Sequence, residues 1–132
     1  MLELNKVRKI LIINLKYIGD VLLCTPVVEA LKNDLKNVSI AMLVNEGTQS
    51  VLYNNSCLDG IFVINSEWRW RRQLNLIRML RSWDFDLAID LTDGDRAAIL
   101  SILCGAKYRV GFNRERRWRG IIYHHIVTAN RD

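Results

Sequence analysis

Short apolar runs alternate with longer amphipathic segments along this chain, and that alternation limits the folds that it can adopt. The apolar runs predict strands at residues 7–15, 38–44, 61–64, 86–91, 108–112 and 121–127. The segments between them predict helices at residues 20–36, 47–54, 70–83 and 95–104. Because uninterrupted apolar runs are typical of strands covered on both faces, the pattern predicts an α/β domain with a doubly wound, Rossmann-like parallel sheet.

Length and composition agree with one globular domain. The 132 residues fit a single unit, so we expect one Rossmann-like domain over residues 1–132. The net charge of +5 favours an anionic partner without choosing among nucleic acid, membrane lipid and a phosphorylated substrate. Cys24, Cys57 and Cys104 are far apart, which indicates free thiols in a reducing compartment. With no signal peptide or spanning apolar run recognised, we expect a cytoplasmic protein.

The loops that follow the strands are where a ligand is expected, because doubly wound sheets bind ligands beyond the carboxyl ends of their strands. The first of these loops lacks the G-x-G-x-x-G dinucleotide fingerprint. It instead places Asp20 at the predicted start of a helix, as an N-cap, and Pro26 predicts that this helix kinks or restarts near Thr25. The helix dipole favours an ionised Asp20, which could accept a proton from a sugar hydroxyl. Capping alone is the alternative role for Asp20, and the residues by themselves leave both open.

Two segments carry a resemblance to a known family. They are KILIINLKYIGDVLLCTPVVEALK, with its Gly19-Asp20 and Thr25-Pro26 pairs, and DFDLAIDLTDGDRAAILSILCGAKYRVGF. Their order and spacing resemble the ADP-heptose:lipopolysaccharide heptosyltransferases of glycosyltransferase family 9, over about residues 9–127. The turn at residues 91–93 is most like the heptosyltransferase III branch.

This resemblance implies a GT-B architecture, in which two Rossmann-like domains face each other across a cleft. The N-terminal, acceptor-side domain would hold the lipopolysaccharide inner core, and a C-terminal domain would hold the donor ADP-heptose. Transfer would be inverting and would need no metal and no cofactor besides the donor. The family's proposed general base corresponds to Asp20. Because this chain corresponds to the acceptor side only, we expect it to be inactive without a donor-binding domain.

The same resemblance implies contacts to the substrate from loops at the sheet edge. We expect them from Lys16 and Gly19 in the first loop and from Thr92 and Asp93 after the fourth predicted strand. In the basic loop between the last two predicted strands, Arg114 and Arg117 are the expected acceptor-binding residues, because arginine forms bidentate hydrogen bonds with carboxylates and phosphates.

The basic loop also allows other interpretations. Its arginines could form a solvated face whose stems cover apolar surface. They could contact the anionic surface of the inner membrane, which would make the protein peripheral on its cytoplasmic face. Nucleic acid is the least favoured partner. Arginines interleave with Trp68 and Trp70 in the segment SEWRWRRQ and with Trp118 in this loop, but these aromatic residues lack the spacing of an RNA-binding platform.

Carboxylates and histidines elsewhere do not predict a metal site. Asp90, Asp93 and Asp95 surround the end of the fourth predicted strand, but Asp95 is explained more simply as the N-cap of the next helix. His124 and His125 are adjacent in a strand-like run, so their side chains point to opposite faces. Two further functions stay open: a stand-alone, non-catalytic module that binds an anionic glycolipid, or one that binds a nucleotide, against which the missing glycine fingerprint weighs.

Overall fold

The computed structural model describes residues 4–35, 37–65, 70–92, 94–112 and 125–127. Its strands are β1 Lys9–Asn14, β2 Ser39–Asn45, β3 Gly60–Ile64, β4 Leu87–Asp90, β5 Tyr108–Phe112 and β6 His125–Val127. Its α-helices are α1 Ile18–Leu22, α2 Thr25–Asp34, α3 Trp70–Ser82 and α4 Asp95–Leu103. Short 3-10 helices cover Leu4–Lys6 and Gln49–Leu52.

All paired strands of the sheet run parallel, in the spatial order β3-β2-β1-β4-β5-β6. The chain therefore starts in the middle of the sheet, builds outward to β3, and returns past β1 to build the other half. This is the doubly wound order of Rossmann-like domains, so the predicted fold class is confirmed.

The core consists of two apolar layers, one on each face of the sheet. Alternate residues of β1 supply both layers, because successive strand side chains point to opposite faces. One layer joins Leu11 and Ile13 to Leu80 of α3 and Leu100 of α4. The other layer contains Ile10, Ile12, Val21 and Val28, so α1 and α2 cover the opposite face from α3 and α4. Each fully buried aliphatic side chain contributes about 1.5–3 kcal/mol of transfer free energy.

The first predicted helix is divided in two, as Pro26 indicated. Helix α1 ends at Leu22, and α2 begins at Thr25 with the proline in its first turn, where its missing N–H is not needed. The prediction that Asp20 is the N-cap is wrong. The extended backbone of Tyr17 (φ −72°, ψ 167°) occupies that position, and Asp20 is the third residue of α1.

The start of α4 differs from its prediction in the same way. Gly94, with an extended backbone, is the N-cap, so Asp95 is the first helical residue rather than the cap. A carboxylate in the first helical turn still interacts favourably with the helix dipole, which explains why both aspartates occur at helix starts without capping them. The predicted helix at residues 47–54 is reduced to the 3-10 helix Gln49–Leu52. Strand β6 confirms the end of the last predicted strand, whose other residues lie outside the described part of the chain.

Candidate functional site at the sheet switch point

The two loops richest in predicted site residues leave neighbouring strands at the middle of the sheet. Strands β1 and β4 pair directly, with Ile13 opposite Asp90 at their carboxyl ends. The helices that follow them cover opposite faces of the sheet, since α1 packs on one layer and α4 on the other. In sheets of this order, such a switch point is the usual ligand site, in a crevice beyond the carboxyl ends of the strands.

Backbone and side-chain hydrogen bonds join these two loops. The N–H of Leu15 donates to Oγ1 of Thr92 at 2.8 Å, and the N–H of Leu91 donates to the carbonyl oxygen of Ile13 at 2.9 Å. The fully buried Asp90 accepts a hydrogen bond from the N–H of Thr92 at 2.8 Å. The floor of the crevice is therefore set by contacts between β1 and β4, and Asp90 has a structural partner within the β4 loop.

Asn14, the last residue of β1, contacts the first loop through its side chain. Its side chain is buried, with 3% of its surface exposed. Its Oδ1 accepts a hydrogen bond from the N–H of Lys16 at 3.1 Å. Its Nδ2 donates to Sγ of Cys24 at 2.9 Å and lies 3.4 Å from the carbonyl oxygen of Asp20. One amide group thus contacts both ends of the loop at residues 16–20.

The thiol of Cys24 lies beneath Asp20. Its Sγ donates to the carbonyl oxygen of Asp20 at 3.3 Å. Burial raises the pKa of the Cys24 thiol, and the negative charge of Asp20 raises it further, against the opposing effects of the Asn14 hydrogen bond and the charge of Lys16. The thiol is therefore held in its protonated, hydrogen-bond-donating form.

The predicted residues of this loop lie at the surface of the crevice. Asp20 is half-buried, whereas Lys16 and Gly19 are exposed. A methyl group in place of the Cα hydrogen of Gly19 would meet no atom within 4 Å among the described residues outside its own helix and chain neighbours. A carboxylate at a helix start, partly open to solvent beside free space, can accept a proton from a bound hydroxyl group.

A second group of polar side chains lies at the ends of β2 and β3 and at the start of α4. The sequence indicated the loops at residues 45–47 and 65–67 as places to search for a ligand, but it named none of these side chains as a site residue. Nδ2 of Asn45 donates to the carbonyl oxygen of Leu15, and one terminal nitrogen of Arg96 donates to the carbonyl oxygen of Asn65 at 2.7 Å. Burial lowers the pKa of the Arg96 guanidinium. Within the described part of the chain, Oδ1 of Asn45 is buried and accepts no hydrogen bond. A polar residue in the last position of an apolar strand, as at Asn14 and Asn45, was the available signal.

Several predicted site residues cannot be placed. Asp93, Arg114 and Arg117 lie outside the described residues, as does His124. Among the residues that the structure does describe, no group of three or more histidine, cysteine or carboxylate side chains could hold a metal ion. None of the described helices is long and apolar enough to cross a membrane.

Comparison with known proteins identifies relatives of one kind. No protein-family model matches the chain. Lipopolysaccharide heptosyltransferase 3 of Escherichia coli K12 is 30% identical over 88% of this chain and 38% of its own length. The lipopolysaccharide core heptosyltransferase OpsX of Haemophilus influenzae is 25% identical over 86% of this chain and 32% of its own length. The chain thus spans less than half the length of the relatives that it matches.

Solved structures show the same fold. A glycosyl transferase family 9 protein from Veillonella parvula superposes with a TM-score of 0.81 at 22% identity, covering 99% of this chain and 38% of its own. The E. coli heptosyltransferase WaaC with ADP superposes with a TM-score of 0.80 at 17% identity, covering 93% of this chain and 41% of its own. The resemblance drawn from the sequence and the expected Rossmann-like half of a GT-B fold are both confirmed by these matches.

Proposed function

We propose that this chain, a homologue of lipopolysaccharide heptosyltransferases over most of its length, is the N-terminal, acceptor-side domain of such an enzyme. The reaction would transfer heptose from ADP-heptose to the inner core of lipopolysaccharide. Two comparisons support this assignment: the sequence match to heptosyltransferase 3, and the superposition on less than half of a heptosyltransferase crystallised with ADP.

The observation that carries the proposal is the position of Asp20. It lies in the first turn of α1, half-buried, beside the junction of β1 and β4. A methyl group added at the neighbouring Gly19 would meet no described atom of another element within 4 Å, which supports access of an acceptor hydroxyl from this side.

The proposed reaction proceeds in a single displacement. The carboxylate of Asp20 accepts the proton of the acceptor hydroxyl, whose oxygen then forms a bond to the anomeric carbon of heptose. The bond between that carbon and the diphosphate oxygen breaks, and ADP leaves with the electron pair. Attack from the face opposite the leaving group inverts the anomeric configuration. Neither a metal ion nor a cofactor takes part in this scheme.

The remaining predicted residues would hold the acceptor. Lys16 and Gly19 are exposed in the β1 loop, and Oγ1 of Thr92 contacts the N–H of Leu15 at the start of that loop. Asp93 follows Thr92 in sequence, and Arg114 and Arg117 follow β5. Their proposed roles are a hydrogen bond to an acceptor hydroxyl for Asp93 and binding of core carboxylates or phosphates for the arginines.

Donor binding requires groups that neutralise the departing diphosphate, and stabilising such developing charge is usually a large share of catalysis. In the proposed enzyme a second domain supplies them, so this chain by itself should not transfer heptose. Closure of the two domains would exclude water and align the reacting atoms. The protein would work in the cytoplasm, where peripheral contact with the inner membrane would bring it to its lipid-anchored acceptor.

Replacing the proposed base tests the assignment. In the full-length protein, Asp20→Asn should lower kcat for heptose transfer by a factor of about 10²–10⁴, because the amide cannot accept the proton. Asp34→Asn, at the exposed end of α2, is the matched control and should leave transfer unchanged. Near-normal transfer by Asp20→Asn would contradict the role of the carboxylate.

The second test concerns the 132-residue chain alone. Mixed with ADP-heptose and lipopolysaccharide acceptor, it should release no ADP above the uncatalysed background. Detectable ADP release that depends on both substrates would contradict the proposed need for a donor-binding domain.

A further inference from the structure

We propose that Asn14 and Cys24 are positioning residues, which hold the backbone of Asp20 so that its carboxylate meets the acceptor hydroxyl in the reactive geometry. This inference rests on the proposed function, because it assigns a task to groups that lie beneath the proposed base. Neither side chain would contact a substrate; both would act through Asp20.

The main-chain hydrogen bonds of α1 show why such support is needed. The N–H of Leu23 donates to the carbonyl oxygen of Gly19, as in a regular helix. The N–H of Cys24, which would be the helical partner of the Asp20 carbonyl, donates instead to Val21 at 3.1 Å. The main chain tightens just after α1, which ends at Leu22, so the carbonyl oxygen of Asp20 accepts from side chains in place of the N–H of Cys24.

Two side chains take the place of that main-chain donor. The thiol of Cys24 donates to the Asp20 carbonyl oxygen at 3.3 Å, and Nδ2 of Asn14 lies 3.4 Å from the same atom. The two groups are also joined to each other, because Asn14 donates to the Cys24 sulfur at 2.9 Å. Asp20 is thus connected through a closed triangle of contacts to the buried carboxyl end of β1.

Packing alone does not account for an asparagine at this position. The other β1 residues after Lys9 are buried aliphatic side chains, and an aliphatic residue would fill the space without burying an amide. The amide instead contacts both ends of the loop at residues 16–20, through Oδ1 to Lys16 and through Nδ2 to Asp20. Because a planar amide holds its oxygen and nitrogen at a fixed separation, it fixes the spacing of the two loop ends.

Loss of this support should affect the chemical step more than binding. A displacement of about 1 Å in a reacting group can lower the rate about 100-fold, whereas acceptor contacts elsewhere on the domain are kept. We therefore expect Asn14→Ala in the full-length protein to lower kcat about 10- to 100-fold while KM for the acceptor changes less than about twofold.

Substitutions at Cys24 test the same inference independently of Asn14→Ala. Cys24→Ser keeps an atom that accepts from Asn14 and donates to Asp20, so its kcat should stay within about threefold of the unaltered protein. Cys24→Ala removes both interactions, and its kcat should fall at least about tenfold. If Asn14→Ala fails to fold, the contrast between these two variants decides the question.

Cys104→Ala is the matched control. Its thiol is also buried and donates to a carbonyl oxygen, that of Ser101 at 3.1 Å, but it lies at the far end of α4. A purely structural role for Cys24 would make Cys24→Ala and Cys104→Ala alike: both would lower the melting temperature, and neither would change kcat measured well below it. That result overturns the inference.

The outcomes separate this inference from the proposed function. If Asp20→Asn abolishes transfer but Asn14→Ala and Cys24→Ala retain normal kcat, Asp20 remains the base and the positioning role is wrong. If Asp20→Asn retains transfer, the proposed function fails first. The inference is supported when kcat falls in all three variants, is restored in Cys24→Ser, and stays normal in Cys104→Ala.

Discussion

Oγ1 of Thr92 accepts a hydrogen bond from the backbone N–H of Leu15 at 2.8 Å, which joins the β1 and β4 loops across the switch point of the sheet. The two residues are far apart in sequence, and only the pairing of β1 with β4 brings them together. The contact satisfies a half-buried N–H that follows β1 directly, and it fixes one wall of the crevice relative to the other.

Thr92→Val tests the strength of this connection in the 132-residue chain. Valine matches the shape of threonine but cannot accept a hydrogen bond, so the N–H of Leu15 should lose its partner. We expect the free energy of unfolding to fall by about 1–3 kcal/mol, measured by urea denaturation. Thr92→Ser keeps the acceptor and should lose less stability than Thr92→Val. Equal stability of the two variants would show that the hydrogen bond contributes little.

Gly19→Ala should separate the stability of the chain from its function. The backbone of Gly19 is helical and the space beside it is free, so alanine should raise the free energy of unfolding by up to about 1 kcal/mol. If the acceptor packs against this position, the same methyl group should raise KM for the acceptor in the full-length protein. Asn33→Ala, on the exposed side of α2, is the control that should stabilise a helix without changing KM. An unchanged KM in Gly19→Ala would remove Gly19 from the acceptor site.

The contacts of Asp86, at the amino ends of the strands, lead us to expect a pH-dependent contribution to the stability of the fold. Its carboxylate accepts hydrogen bonds from the N–H groups of Arg8 and Lys9 and lies 3.4 Å from Nζ of Lys107. Burial alone would raise the pKa of Asp86, but these hydrogen bonds and the lysine charge together lower the pKa below its usual value. The charged form therefore stabilises the fold above the ordinary aspartate pKa of about 3.9, and this contribution is lost as the pH falls through the lower pKa of the folded state.

Asp86→Asn measures that contribution. At pH 7 the variant should be less stable than the unaltered chain by about 1–2 kcal/mol, because one charged acceptor of main-chain hydrogen bonds is lost. The difference should shrink as the pH is lowered below about 4, in urea denaturation series of both proteins. A difference that stays constant with pH would contradict the assigned pKa shift.

Close packing at the start of β3 leaves no space for a side chain at Gly60. A methyl group at this position would lie 2.8 Å from two ring atoms of Trp83, closer than real contacts allow. The ring cannot move freely, because it stacks on Phe85 and meets Phe62 edge-on, each at 5.6 Å between ring centroids. We expect Gly60→Ala to cost about 1–3 kcal/mol of unfolding free energy.

A double-mutant cycle identifies the cause of that loss. In a Trp83→Leu background the smaller side chain removes the conflict, so adding Gly60→Ala should cost less than about 0.5 kcal/mol. If Gly60→Ala is as costly in that background as in the unaltered chain, the tryptophan ring is not responsible.

Local patterns were sufficient to predict most elements of the sheet. The aliphatic run of β1 and the proline in α2 predicted a buried strand and a divided helix, because strand burial and the proline constraint act within a few residues. The two helix starts were less predictable. An aspartate interacts favourably with the helix dipole from several positions near the helix start. Its presence therefore did not distinguish the N-cap from the first turn.

The amino-acid order by itself determined the fold class, the switch-point loop and the placement of Asp20 beside a glycine at a helix start, since periodicity and turn residues are local properties. The tertiary structure alone decided which groups hold the backbone of Asp20 and the loop before it. Asn14 meets Cys24 once α1 has packed against the sheet, and Thr92 meets Leu15 only after β1 has paired with β4. Hydrogen-bond partners separated by 77 residues, as Leu15 and Thr92 are, leave no periodic trace in a sequence, because their contact depends on how whole strands are ordered.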